Sequence, residues 1–238
     1  MMLPFNPRVQ VRYPFSAERN PHAAEMDNDI ITLIADNYSF LSEKARDKYR
    51  NTHIGYCAGC IFPKAGRTHL EAICRVFMWT FAVDDKFEWS APAVIEEIGD
   101  AALRVLLGNK PAVETPLLNA LPEMREQLLA IAGKEWLEKR FCKSLASYFS
   151  GLAEESHYRS SGIYPDMNTY LDIRLRSVNV DIMTNLAEVI TAGQLPDSVI
   201  GHPVIREIEL LVCRILIWCN DLFLLTRKER IWTCSIPC

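Results

Sequence analysis

Apolar positions recur three and four residues apart along most of the chain, and strand-like alternation is nowhere sustained, so the pattern predicts an all-α fold. Residues 69–87 are the longest such segment, largely apolar and free of Pro and Gly, and predict a helix at the centre of a bundle. Ahead of it, the Pro- and Asn-rich residues 1–20 read as an extended strap, with a first helix starting near Pro21 and running through Ile30, Leu33 and Ile34. Residues 38–56 read as one helix or a pair, broken by Gly55, Gly59 and Pro63. Beyond the central segment, Ile95, Ile98, Ala102, Val105 and Leu106 mark a helix that Gly108 and Pro111 end, and residues 111–122 form a connection with one short turn. Leu128, Leu129, Trp136, Leu137, Phe141, Leu145 and Tyr148 predict two helices within 124–153, parted near Gly133. Further helices are predicted over 152–159, 167–178, 180–190 and 204–230, punctuated by Gly151, Gly162, Pro165, Gly193, Pro196 and Pro203. Residues 231–238 show no helical period, no internal repeat is visible, and the whole chain, 1–238, reads as a single domain.

Composition narrows the partners. Twenty-six basic and thirty acidic side chains leave a formal charge of -4, too small and too mixed for nucleic-acid binding or a polybasic membrane anchor. The apolar run at 209–219 is interrupted by Arg214 and is too short for a membrane span. Cys74, Cys142, Cys213 and Cys219 sit in apolar helical contexts, and Cys57 and Cys60 form a lone CxxC, so the cysteines predict reduced, buried thiols. With no N-terminal signal peptide evident, a cytoplasmic protein acting on small molecules is expected.

Chemistry concentrates where the central segment ends. Residues 78–88 run from Met78 through Trp79 and Phe81 into Asp84, Asp85 and Glu88 without an intervening loop residue. On a helix Asp84 and Glu88 share one face, with Asp85 about 100° round from Asp84. Three carboxylates that close need cations, and hard oxygen ligands point to magnesium, which shares its coordination shell with water and substrate phosphates. Asn220 and Asp221, near the end of another long apolar helix, offer oxygens from across a cavity, with Glu229 further along. Between the two clusters Arg174 and Arg176 emerge from an otherwise apolar face and suit bidentate bonds to phosphate. Phe77, Phe81 and Trp218 offer ring faces to a cation. For the acids a solvated helix end is the alternative, for the arginines a structural ion pair, and for the aromatics plain core packing.

Taken together, these segments resemble class I terpene synthases of the bacterial and fungal type, over about residues 15–229. Asp84, Asp85 and Glu88 match that family's aspartate-rich motif in its DDxxE form, and Trp79 and Phe81 match the aromatic approach to it. Arg174 matches the diphosphate-sensing arginine, with Ser177 and Val178 at the linker and effector positions of a helix break. Glu155, Arg159, Gly162, Pro165 and Tyr170 fall on the pattern leading into that helix, and Asn220 follows Arg174 by 46 residues, the usual separation. The family's second metal motif has Ser or Thr four residues after its Asn or Asp, then Glu four further. Here Leu224 and Lys228 follow Asn220 at those steps, whereas Leu225 and Glu229 follow Asp221; counting one residue after Phe223 as extra relative to the motif brings Glu229 into register with Asn220.

The resemblance implies a helical bundle that ionises a prenyl diphosphate with three magnesium ions, manganese being the alternative. Asp84, Asp85, Glu88, Asn220 and Glu229 are then the implied ligands, Arg174 and Arg176 the diphosphate contacts, and Phe77, Phe81 and Trp218 the cation pocket. Farnesyl diphosphate and a sesquiterpene product are the expected pair. Geranyl diphosphate with a monoterpene product, an impaired homologue that still binds diphosphate, and an unrelated helical interaction module are the alternatives. Family members continue into helices that close the cavity and carry a late Arg-Tyr pair, so the chain is expected to be truncated at its C-terminal end, exposing an apolar face that invites homodimerisation.

Overall fold

A computed structural model describes residues 16–233, with side chains as far as Asp221 apart from Ala192, and the described residues contain helices and no strand. Residues 16–20 carry the end of the strap; its first fifteen residues and the tail from 234 onward lie outside the described residues. The helices, in order, are α1 (Ala23–Asn37), α2 (Glu43–Arg50), α3 (Ile54–Ile61), α4 (Arg67–Phe87), α5 (Pro92–Leu106) and α6 (Pro116–Asn119). There follow α7 (Leu121–Trp136), a π turn (Leu137–Phe141), α8 (Cys142–Ser161), α9 (Met167–Ser177), α10 (Val180–Ala192), α11 (Asp197–Ile200) and α12 (Pro203–Thr233).

Local signals account for several starts. The Ser42 hydroxyl accepts from the Ala45 amide at the head of α2, and the Asp166 carboxylate accepts from the Asn168 and Thr169 amides at the head of α9. Such caps satisfy amides that have no partner within the helix. Pro92 and Pro122 stand in the first turns of α5 and α7, where a missing N–H costs nothing. Pro122 therefore opens a helix instead of closing the preceding connection.

Helix α4 is the predicted central element. Ile73, Val76, Phe77, Met78, Trp79, Ala82 and Val83 are all buried, so the helix is apolar around most of its girth and enclosed by neighbours. The Trp79 indole donates to the Leu117 carbonyl at 2.9 Å, satisfying the polar handle of a buried ring. Helices α3 and α7 pack on α4, α1 packs on α3, and α8 lies between α5 and α9.

Of the two expected helix breaks within 124–159, one is present and one is not. Gly133 (φ 76, ψ 171) leaves the helical region and kinks the chain within Leu121–Trp136, so helical segments meet there as expected, and the π turn carries the second on into α8. Gly151 does not break the chain: α8 runs through it, so 152–159 is no separate helix. Helix α11 escaped the pattern because four residues are too few to show a period. Helix α12 extends to Thr233, slightly past the predicted start of the tail.

Among the described cysteines all are free; Cys74, Cys142 and Cys213 are buried, whereas Cys57 and Cys60 are exposed. Among the described residues no helix is long and apolar enough to cross a membrane.

Candidate active site

Four helices each turn one stripe toward a common cavity of about 790 Å³. Helix α4 contributes Phe77, Phe81, Asp84 and Glu88; α8 contributes Tyr148, Leu152, Glu155 and Arg159. Helix α9 adds Tyr170, Ile173, Arg174 and Ser177, and α12 adds Asn220 and Asp221. In α4 and α8 the apolar members come first and the charged ones one to two turns later. The two helices also end together, since Arg159 donates to the Glu88 carbonyl and the Ser156 hydroxyl to the Ser90 carbonyl. The cavity therefore has an aromatic and aliphatic floor beneath a charged rim.

Asp84 stands on this rim in an acidic neighbourhood. Desolvation by the surrounding protein pushes its carboxyl pKa up to about 6, with the like charges of Glu155, Asp85 and Glu88 adding to the shift and Arg174 opposing it. The side chain still reaches solvent through the cavity mouth. Asp85, one residue on, is rotated out of the cavity. Its carboxylate accepts from Lys48 Nζ at 2.6 and 2.7 Å and from the Tyr49 hydroxyl, both on α2. Burial first, and then Asp85, hold the Tyr49 phenol well above its ordinary pKa, so it remains the donor.

Arg174 is the hub of the opposite wall. Its guanidinium donates to Asp221 at 2.7 and 3.3 Å, to Glu155 at 3.3 Å, to the Ser177 hydroxyl at 3.0 Å and to Asn220 Oδ1 at 3.3 Å. Burial disfavours its charge, but Asp221 and Glu155 outweigh burial and raise its pKa. Glu155 also accepts from Arg159 at 2.8 Å, so it ties the end of α4 to α9. Tyr170 donates to Asp221, and burial first, then that carboxylate, push its phenol up to about 12. Immediately beyond α9, Val178 and Asn179 line the cavity as the helix breaks, Asn179 standing in the left-handed region at φ 63.

Asp84, Glu88, Arg174, Ser177, Val178, Asn220, Phe77 and Phe81 thus meet on one cavity. Three expected members stand elsewhere. Asp85 is held by α2 as described. Arg176 points from α9 toward α8, donating to Glu154 at 2.6 Å and to Asp172 at 2.8 Å. Trp218 is 54% exposed and forms no part of the cavity wall. Glu229 lies outside the described side chains. Tyr148 is a wall residue that the sequence did not single out for the site, and Glu155 was placed only on the pattern leading into α9, whereas Asp221 was already named beside Asn220 as an oxygen donor. The signal was present on α8, where positions 148, 152, 155 and 159 follow a helical period.

Among the described residues no three His, Cys, Asp or Glu side chains are gathered closely enough to cage an ion by themselves. The donors around the rim are carboxylate and amide oxygens, and the like charges of the carboxylates add to the desolvation that raises the Asp84 pKa. That set fits a hard divalent cation such as magnesium, which takes a few protein oxygens and completes its shell with water and phosphate.

A family model described as terpene synthase family 2, C-terminal metal binding, matches residues 75–230, which contain all four stripes of the cavity. The chain belongs to this terpene synthase family. Among curated relatives, germacrene A synthase of Nostoc punctiforme is 26% identical over 90% of the chain. A farnesyl diphosphate-cyclizing (+)-T-muurolol synthase of Roseiflexus castenholzii is 28% identical over 90%. The solved structure of α-eudesmol synthase superposes with a TM-score of 0.81 at 21% identity, covering 92% of this chain and 73% of that one, and so shares the fold. This terpene synthase spans 68% and 67% of the two bacterial relatives' lengths, and 59% of sesquiterpene synthase 3 of Postia placenta.

A raised carboxyl pKa means the metal-free fold carries a cost for ionising Asp84 that is absent at low pH and grows as pH rises from the unfolded value toward about 6. Asp84→Asn should therefore raise the melting temperature of the metal-free protein at pH 7.5. Because solvent screens the exposed carboxylate, the gain should be about 2–4 °C, corresponding to ~1 kcal/mol in a chain of this size. At pH 5 the gain should shrink, which thermal unfolding followed by circular dichroism at the two pH values would show.

Proposed function

We propose that this chain is a magnesium-dependent terpene synthase that ionises farnesyl diphosphate and cyclises the resulting cation to a sesquiterpene. The observation that carries the reading is the union, in one cavity, of an aromatic floor with a rim bearing opposed oxygen donors and a multiply engaged arginine. Asp84, Glu88, Asn220 and Asp221 would hold the metal, and three ions is the number the resemblance implies. When bound, magnesium supplies positive charge that stabilises the departing diphosphate oxygens.

The chain's own residues do the remainder. Arg174 presents several donors where negative charge develops as the allylic carbon–oxygen bond breaks and its electron pair leaves with diphosphate. At present those donors grip Asp221, Glu155 and Asn220, so diphosphate oxygens would take over donors already oriented. Asp85 acts through α2: its bonds to Lys48 and Tyr49 fix the rotation of the α4 end that aims Asp84 inward. Phe77, Phe81 and Tyr148 wall the floor, where ring faces stabilise the cation and apolar surroundings keep water from quenching it.

Incubation of the purified chain with geranyl, farnesyl and geranylgeranyl diphosphates plus magnesium, followed by gas chromatography and mass spectrometry, tests the substrate class. A C15 hydrocarbon or alcohol from farnesyl diphosphate is expected. Preferential formation of a C10 product would transfer the assignment to geranyl diphosphate, and no terpene product from any of the three would overturn the reading.

A further inference from the structure

Gly151 sits in the middle of α8, where glycine weakens a helix relative to alanine, so its presence calls for a packing reason. A Cβ built there would lie 2.7 Å from Arg176 Cβ, 2.7 Å from the Ser177 amide nitrogen and 3.0 Å from the Arg176 carbonyl carbon. Two of these three atoms belong to backbone, so the last turn of α9 would have to move. This contact comes immediately before the chain breaks at Val178 and Asn179 on the cavity wall. The same seat is gripped from both sides by Arg176, which donates to Glu154 at 2.6 Å and to Ser150 Oγ at 3.3 Å, residues that flank Gly151 on α8. Ser177, whose amide rests against Gly151, is buried and accepts from Arg174 at 3.0 Å.

We propose, on the reading of the cavity as a diphosphate-ionising site, that Gly151 and the Arg176–Glu154 pair form a joint that seats the end of α9. The joint sets where Arg174 and Ser177 stand relative to the leaving group. Gly151, Glu154 and Arg176 are positioning residues: none of them lines the cavity, and Arg176 serves the diphosphate through the backbone it anchors instead of by touching it. The joint matters because donors must lie where charge develops, and a shift of about 1 Å in such a group costs roughly 100-fold in rate. Ordinary packing at Gly151 with a surface ion pair at Arg176 would leave kinetics untouched, since pairs of that kind contribute little.

The test compares Gly151→Ala, Arg176→Met and Arg176→Lys with the unaltered chain. Amide hydrogen exchange is measured on the metal-free proteins, and steady-state kinetics with farnesyl diphosphate and magnesium. Gly151→Ala and Arg176→Met should keep cooperative unfolding yet exchange the amides of residues 176–180 about tenfold faster, the mark of a locally loosened element. Both should lower kcat by roughly 10- to 100-fold with KM changed by less than about threefold, as expected for misplaced transition-state donors. Arg176→Lys, which retains the charge facing Glu154, should recover most of both losses. Unaltered exchange and kcat in the folded variants would overturn the joint, as would faster exchange spread evenly through the bundle. If Gly151→Ala fails to fold, the two Arg176 variants decide alone. An unaltered chain without turnover would overturn the functional reading, while exchange in the metal-free proteins would still show whether this contact seats the break.

Discussion

Arg174→Met should lower the rate of diphosphate release from farnesyl diphosphate about 10²–10³-fold, the loss typical of removing a preorganised donor from a site of developing negative charge. The size of the effect follows from how many bonds converge on this guanidinium: Asp221, Glu155, Ser177 and Asn220 all lie within 3.3 Å of its nitrogens. It should not follow from unfolding. Methionine keeps most of the aliphatic volume, Asp221 retains the Tyr170 hydroxyl, and Glu155 retains Arg159. Arg174→Lys should recover only part of the loss, because an ammonium replaces a planar fork that engages several oxygens at once. Stopped-time assay of inorganic diphosphate, beside circular dichroism of each variant, separates the chemical loss from a structural one. Near-wild-type release by Arg174→Met would remove this residue from the reaction.

Gly55→Ala should cost about 3–4 kcal/mol of stability, near the upper end for a single substitution, through overpacking and loss of a buried hydrogen bond. A Cβ at this position would fall 2.2 Å from the Asp27 amide nitrogen, 2.7 Å from the Ala23 carbonyl oxygen and 2.7 Å from Asp27 Cα. All three are backbone atoms of α1, which no rotamer change can move aside. Separating α1 from α3 would also stretch the 3.1 Å bond from the Gly55 amide to the buried Asp27 carboxylate, whose other oxygen pairs with His53 at 2.9 Å. For a chain of this size the loss corresponds to a melting temperature lower by roughly 10 °C. Gly66→Ala is the control: its nearest neighbour would be His69 Nδ1 at 3.6 Å, ordinary contact distance, and the melting temperature should move little. Equal stability of the two variants would contradict the close approach of α1 and α3.

The helices and the acidic end of α4 were legible because they depend on local order. Residues 69–87 contain no breaker, and a helical period places Asp84 and Glu88 together whatever surrounds them. Which way that face points was not legible. Asp85 is only one residue from Asp84, yet its carboxylate is taken by Lys48 and Tyr49, 37 and 36 residues away on a helix whose rotation depends on packing. Arg174 and Arg176 differ similarly: two helical steps turn one into the cavity and the other onto α8. Gly151 was misread as punctuation because glycine breaks helices and also admits close neighbours, and only the approach of α9 distinguishes the two uses. Trp218 lies two residues before Asn220, but on a helix that step places it on a different face.

Release of inorganic diphosphate from farnesyl diphosphate, measured with the purified folded chain with and without magnesium and beside Asp84→Asn, tests the central claim most directly. Release should require magnesium, stop on chelation, and fall by at least about 100-fold in Asp84→Asn, because that carboxylate is assigned to the metal that activates the leaving group. Release indifferent to magnesium and to Asp84, or its absence from a cooperatively folded sample, would contradict the assignment of this cavity.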